Sequence, residues 1–431
     1  MITLEQLRAG EPAGRRRLKL ACGLSEFPRE IFDFADSLEI LDLSGNALTA
    51  LPDDLPRLHK LRVLFCSDNQ FSELPAVLGQ CPQLSMIGFK ANQIRHVPAS
   101  ALPAAVRWLI LTDNQISQLP AEIGRCTQLQ KLMLAGNQLR NLPPEMANCR
   151  RLELLRIAAN QLAALPDWLF SLPRLAWLAY AGNPFCASTA QTPIARIAWH
   201  ELQLLQQLGE GASGVIHQAD YAQQQVAVKL FKGALTSDGL PGHEMNACIS
   251  AGTHPNLIPV LGKIDQHPEN VDGLVMALIE HGFTNLAGPP SLDSCTRDVY
   301  PEHARFTLSA ALRLARGIAS AACHLHAQGI VHGDLYAHNI LHAADGEALL
   351  GDFGAASFIN PADQAQAEAL QRIEVRAFGC LLEELLQRST AAVDEQNALI
   401  MFGNLQADCV QENINARPLF AEIEVRLSAC Q

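Results

Sequence analysis

Leucines recur along the first half of the chain with a fixed spacing. From Leu38 the pattern L-x-x-L-x-L-x-x-N-x-L-x-x-L-P returns repeatedly. Its asparagines, Asn46, Asn69, Asn92, Asn114, Asn137, Asn160 and Asn183, stand 23, 23, 22, 23, 23 and 23 residues apart. A constant period of this size marks a stack of similar units that share one continuous core. Each unit predicts a short strand with alternate leucines turned inward, then an apolar pair such as Leu48 and Leu51 or Leu139 and Leu142. A proline usually follows: Pro52, Pro75, Pro98, Pro120, Pro143 and Pro166. The asparagine falls where the chain turns away from the strand, and its amide can satisfy backbone groups that would be costly to bury alone.

An earlier segment, Leu18, Leu20, Cys22, Leu24, Phe27 and Pro28, reads as a degenerate first copy with cysteine in the asparagine place. Cys81, Cys126 and Cys149 recur late in their units, where a small apolar side chain is buried. The period breaks in the small polar run Ala187 to Pro193, and the apolar pattern changes. Strand-like runs now end at Lys229 and Ile279, and a long helical pattern covers Leu308 to Gln328. Two domains follow, residues 1–190 and 191–431.

Composition separates the halves further. Residues 1–199 carry 20 Lys+Arg against 17 Asp+Glu, and residues 200–431 carry 12 against 27, which together give the net charge of -12. A strongly acidic second half argues against nucleic acid as its partner. The twelve cysteines show no C-x-x-C pairing, and no apolar run reaches the roughly 20 residues that span a bilayer. These features predict a soluble cytoplasmic protein with free thiols.

The side chains of chemical interest lie in the second half. Leu208, Gly209, Glu210, Gly211, Ala212, Ser213, Gly214 and Val215 form a glycine-rich stretch. Ala227 and Lys229 follow on an apolar run, in a domain whose other lysines are Lys232 and Lys263. A lone cation on a buried strand requires an anion; Glu244 is the first candidate, with Glu269 and Glu280 as weaker ones. Further on, His332, Gly333, Asp334, Leu335 and Asn339 precede Asp352, Phe353 and Gly354, with Asp334 and Asn339 five apart and Asp352 thirteen beyond Asn339.

Taken in order, these motifs resemble the eukaryotic-type protein kinases, and the first half resembles the leucine-rich-repeat family. The fold implied is an α/β leucine-rich-repeat solenoid with parallel strands, followed by an α+β two-lobed protein-kinase-like domain. The kinase resemblance implies ATP and Mg2+. Residues 208–215 would close over the phosphates, with Val215 and Ala227 against adenine and Lys229, held by Glu244, on phosphate oxygens. Met276 would be the gatekeeper, Ala277 and Leu278 the hinge, and Leu341 a further wall of the nucleotide site. Asn339 and Asp352 would hold magnesium, and Asp334 would take or orient the substrate hydroxyl. His332 and Phe353 are assigned to packing.

Several positions depart from the kinase pattern. Gly333 replaces an arginine that clasps a phosphate on the activation loop. Tyr336 replaces the lysine of serine/threonine members, and His338 holds a place where tyrosine members carry arginine. Only 22 residues separate Asp352 from Glu374, which itself replaces an aspartate. No clear A-P-E motif precedes it, although Pro361, Ala362 and Asp363 resemble a remnant, and Arg417 lacks the glutamate it would pair with. The functions in view are a serine/threonine protein kinase, a nucleotide-binding scaffold and a small-molecule phosphotransferase. In the repeats, Phe65, Trp108, Ile110, Met133, Leu154 and Trp177 alternate with the strand leucines, which predicts an apolar concave face for a protein partner. The oligomeric state is not legible.

Overall fold

The computed structural model describes Glu5, Leu7, and residues 14–186, 193–233, 235–279 and 282–430. The expected boundary at 190/191 lies outside the described residues. By internal contacts the chain divides into two compact units, one of Met1–Leu172 with Asn183–Phe185, the other of Pro173–Gly182 with Cys186–Gln431.

The first unit is a leucine-rich-repeat solenoid. Seven three-residue strands, β1 (Arg17–Lys19), β2 (Ile40–Asp42), β3 (Val63–Phe65), β4 (Met86–Gly88), β5 (Trp108–Ile110), β6 (Lys131–Met133) and β7 (Leu154–Arg156), pair in parallel and in sequence order. The degenerate first copy supplies β1, with Leu18 and Leu20 buried. The returning segments are short 3-10 turns rather than α-helices. Pro75, Pro98, Pro120, Pro143 and Pro166 each stand just before one, their fixed φ suiting the extended entry to the turn.

Every asparagine of the ladder is bonded to main chain. Asn137 is typical: its amide donates to the carbonyls of Leu111 at 2.8 Å and Leu134 at 3.0 Å, and its oxygen accepts from the Ile116 N–H at 3.0 Å. The side chain thus joins two successive units and satisfies three main-chain groups between them. The residue before each asparagine from Asn46 to Asn160 is left-handed, with φ between 51° and 75° at Gly45, Asp68, Ala91, Asp113, Gly136 and Ala159. Cys81, Cys126 and Cys149 are 2 %, 1 % and 0 % exposed, and burial pushes their thiols up, to about 11, about 11 and about 12.

The second unit is a protein-kinase fold. Numbering on from β8 (Trp177–Ala179), its main sheet contains β9 (Arg196–Ala198), β10 (Gln203–Glu210), β11 (Gly214–Tyr221), β12 (Gln224–Phe231), β13 (Val260–Asp265) and β14 (Gly273–Ala277), in the order β10-β11-β12-β14-β13-β9. Alternate residues on these strands bury one face around Val226, Val228, Ile264 and Val275. Helix α1 (Pro241–Ala251) starts on a proline, whose missing N–H costs nothing at that position. The remaining helices are α2 (Leu308–Ala327), α3 (Gln364–Arg388), α4 (Gln396–Cys409) and α5 (Phe420–Ser428). Thr307 caps α2 by accepting from Ala310 N. Asp363 caps α3 through Gln366 N, so the presumed A-P-E remnant acts here as a helix start. No described helix is long and apolar enough to cross a membrane.

Candidate active site

The glycine-rich stretch is the hairpin between β10 and β11. Gly211 N donates to Gly214 O at 2.9 Å, and a Cβ at Gly214 would sit 2.5 Å from the Leu230 carbonyl, so a side chain there would force the strands apart. Two-residue alternation puts Ala227 and Lys229 on one face of β12. On β11 the residue opposite Lys229 is Ile216, while Val215 lies opposite Leu230 on the other face. The expectation for Val215 is therefore corrected: Ile216 faces the cavity with Lys229. Leu208 is 46 % exposed, and Glu210 pairs with Lys232 at 2.7 Å.

Lys229 is ion-paired with Glu244, in the first turn of α1, and their side chains are 14 % and 2 % exposed. Burial alone would drive the ammonium to lose its proton. The carboxylates of Glu244 and Asp352 outweigh that and hold its pKa above the ordinary value. Glu269 is exposed, and Glu280 lies outside the described residues.

Around the catalytic loop, hydrogen bonds tie three segments together. The Asn339 amide donates to the main-chain oxygen and to Oδ2 of Asp334, both at 2.9 Å. His332 accepts from Asp334 N at Nδ1 (3.3 Å), which leaves Nε2–H to donate to Gly351 O at 2.8 Å. Gly351 N returns to Asn339 O at 2.9 Å. Asp352, next in the chain, is left-handed at φ 52°, and its Oδ1 accepts from Gly354 N at 3.1 Å. Such strain in a non-glycine residue persists where the surroundings over-determine it. Glu374 is buried in α3, accepts from Gly333 N at 2.7 Å, and bonds His326 Nε2 at 2.7 Å.

A cavity of about 210 Å³ collects Gly211, Ala212, Ser213, Gly214, Lys229, Glu244, Met276 and Asp352 on its wall. Gly209, Ala227, Ala277, Leu278, Asp334, Asn339 and Leu341 are not part of that wall. Ala277 N is already bonded to Pro259 O at 2.9 Å, so a hinge donor has to come from beyond it. Sequence reasoning passed over Thr236 and Asp238 among other wall residues, and assigned Cys248 to packing. A Thr-Ser-Asp-Gly turn signal marked the first two. It also missed Asp298, which accepts from His338 N at 2.9 Å and faces His338 Nδ1 at 2.7 Å. Forty residues separate that pair, and no local signal joins them.

The expected apolar stripe on the repeats needs correction. Phe65, Trp108 and Ile110 are half-buried, whereas Met133, Leu154 and Trp177 are 8 %, 2 % and 2 % exposed. Phe65 lies over Gly88, whose missing side chain makes room for its ring, and Lys131 covers the Trp108 ring at 4.4 Å. Trp177 stacks on Tyr336, with ring centres 4.1 Å apart and planes at 5°.

The fold and this constellation define a protein kinase domain preceded by leucine-rich repeats. Residues 202–390 match the protein tyrosine and serine/threonine kinase family, and residues 37–58 match the leucine-rich repeat. A probable serine/threonine-protein kinase of Dictyostelium discoideum, gdt4, is 28 % identical over 180 residues, covering 41 % of this chain and 10 % of its own. The mouse (Mus musculus) megakaryocyte-associated tyrosine-protein kinase is 30 % identical over 223 residues, covering 48 % and 41 %. Human (Homo sapiens) leucine-rich repeat-containing protein 58 is 36 % identical over 104 residues, covering 23 % and 28 %. The chain spans less than half the length of these curated relatives.

Proposed function

We propose that the second unit binds ATP with magnesium and transfers the γ-phosphate to serine or threonine hydroxyls of a protein, in the cytoplasm, with the repeats as the protein-binding module. The observation that carries this reading is the buried Lys229–Glu244 pair facing Asp352 across one cavity. Against burial, Glu244 and Asp352 hold the Lys229 ammonium above its ordinary pKa. Burial pushes the Glu244 carboxyl up, so the pair is one coupled, enclosed site.

The residues fit the nucleotide and its metal. Backbone N–H groups of Ala212 and Ser213 at the hairpin tip and the Lys229 ammonium suit phosphate oxygens. Asp352 and Asn339 are hard oxygen donors of the kind magnesium takes alongside phosphate. When bound, the metal would neutralise charge that builds on the transferring phosphoryl group. Glu244 keeps Lys229 aimed. Asn339 holds Asp334 through its Oδ2, which orients the other carboxylate oxygen toward an incoming hydroxyl. Ala227, Met276, Ala277, Leu278 and Leu341, with Ile216, would enclose the adenine. Phe65, Trp108 and Ile110 remain the residues proposed to meet a protein partner.

A second reading, a nucleotide-binding scaffold, is favoured by one specific observation. Tyr336 brings no cation to the transferring phosphate, and its ring is covered by Trp177. Phosphosite mass spectrometry after incubation with Mg-ATP separates the two. Phosphoserine or phosphothreonine in the wild type and none in Asp334→Asn supports transfer. Phosphotyrosine alone rejects the proposed residue preference, and an unmodified chain with retained ATP binding favours the scaffold.

A further inference from the structure

Pro173–Gly182 belongs to the second unit although its sequence continues the repeat pattern. It is pinned at its start by two arginines. Arg417 Nη2 donates to Pro173 O at 2.9 Å, and Arg376 Nε donates to Arg174 O at 3.1 Å. Arg417 is 1 % exposed, and its other bonds go to the carbonyls of Gln411 and Arg372 rather than to a carboxylate. At the far end Tyr180 N donates to Ser357 Oγ and Tyr180 OH to Phe358 O, both at 3.2 Å. Ser357 and Phe358 in turn pair with Ile330 and Val331, the strand that leads into the catalytic loop.

Between these anchors the segment meets the loop itself. Trp177 Nε1–H donates to Leu335 O at 3.1 Å, next to Asp334, while its ring stacks on Tyr336. Tyr336 lies 5.0 Å from the His338 ring, and Asp298 holds His338. Gly333 is left-handed at φ 72°, and a Cβ there would lie 2.6 Å from Leu178 O and 2.7 Å from Ala355 O. Two backbones close on that glycine, which leaves no room for the arginine that other kinases carry.

We propose that Pro173–Gly182 braces the catalytic loop in place of the shortened activation segment, with Trp177 as the positioning residue for Asp334 and Asn339. The loop is then set by the chain's own sequence and requires no loop phosphate. This rests on the phosphotransfer reading for its consequence, not for its structural content.

The test uses the full chain with Trp177→Ala, Trp177→Phe and Gly333→Ala. Two readouts are hydrogen exchange of residues 333–339 and ADP release from Mg-ATP. In Trp177→Ala the loop amides exchange about tenfold faster, with the main sheet unchanged. The turnover number falls about ten- to a hundredfold, with KM for ATP kept within about twofold. Trp177→Phe, which keeps the stack, restores most of both. Gly333→Ala loosens the loop from the other side, a second route should Trp177→Ala fold poorly. Unchanged loop exchange in a folded Trp177→Ala overturns the proposal. So does faster turnover, which would make the segment a plug. If the wild type turns over no ATP, the phosphotransfer reading fails while exchange still decides the brace.

Discussion

Buried polar side chains have opposite uses in the two units. In the repeats, Asn69, Asn92, Asn114, Asn137 and Asn160 are neutral, identical in role and fully spent on backbone partners. In the kinase unit, Lys229 and Glu244 are ionisable, unlike one another and enclosed as a pair, while Asp334 is half-buried and Asp352 exposed. The ladder satisfies main chain, so its side chains offer nothing to a ligand. The Lys229–Glu244 pair sits largely out of water on the wall of a cavity, an arrangement that costs stability and makes sense only if a ligand uses it.

The largest effect should come from breaking the charged set. Lys229→Met leaves Glu244 buried without its cation and should destabilise the second unit by about 3 kcal/mol. Adding Glu244→Leu should recover most of that, as read by urea denaturation in a double-mutant cycle. Recovery of nothing would mean that the pair is not coupled as the geometry requires.

Asn137→Ala should cost about 2 kcal/mol, since it strands one buried N–H and two carbonyls. The loss should appear in the repeat unit alone, as lost exchange protection around Leu111, Ile116 and Leu134. A smaller contrast tests the left-handed position before each asparagine. Gly136→Ala should destabilise by about 1 kcal/mol, and Ala159→Gly should be neutral or slightly stabilising, because only a Cβ is penalised there.

The smallest effect is electrostatic. The bidentate hydrogen bond from Arg29, with Arg57 adding to it, holds the exposed Asp54 carboxyl at about 2. A depressed folded pKa contributes stability above the ordinary carboxyl value of 3.8 that is lost as pH falls through about 2. NMR titration of Asp54 should show this, and Arg29→Ala should raise the pKa toward 3.8.

The repeat architecture was legible because a period repeated many times averages out local irregularities: the asparagine spacing located the turns, and the strands follow it. The kinase fold was legible in the order and spacing of rare residue types, Lys229 to Asp352. Errors arose where one position decides a face. Val215 and Ile216 differ by a single step on a strand, and the hairpin register placed Ile216 opposite Lys229. Exposure of Met133, Leu154 and Trp177 was not legible, because alternation along a strand says which way a side chain points and not what meets it there. The Trp177–Tyr336 stack and the Asp298–His338 pair join residues far apart in sequence, beyond any periodic signal.

The claim that the second unit is a working nucleotide site rests on Asp352 being a metal and phosphate partner while Asp334 is not needed for nucleotide binding. Calorimetric titration of the full chain with ATP, with and without magnesium, tests it directly. The account predicts magnesium-dependent binding to the wild type and to Asp334→Ala, and its loss in Asp352→Ala. Binding that ignores magnesium, or survives Asp352→Ala unchanged, would contradict it.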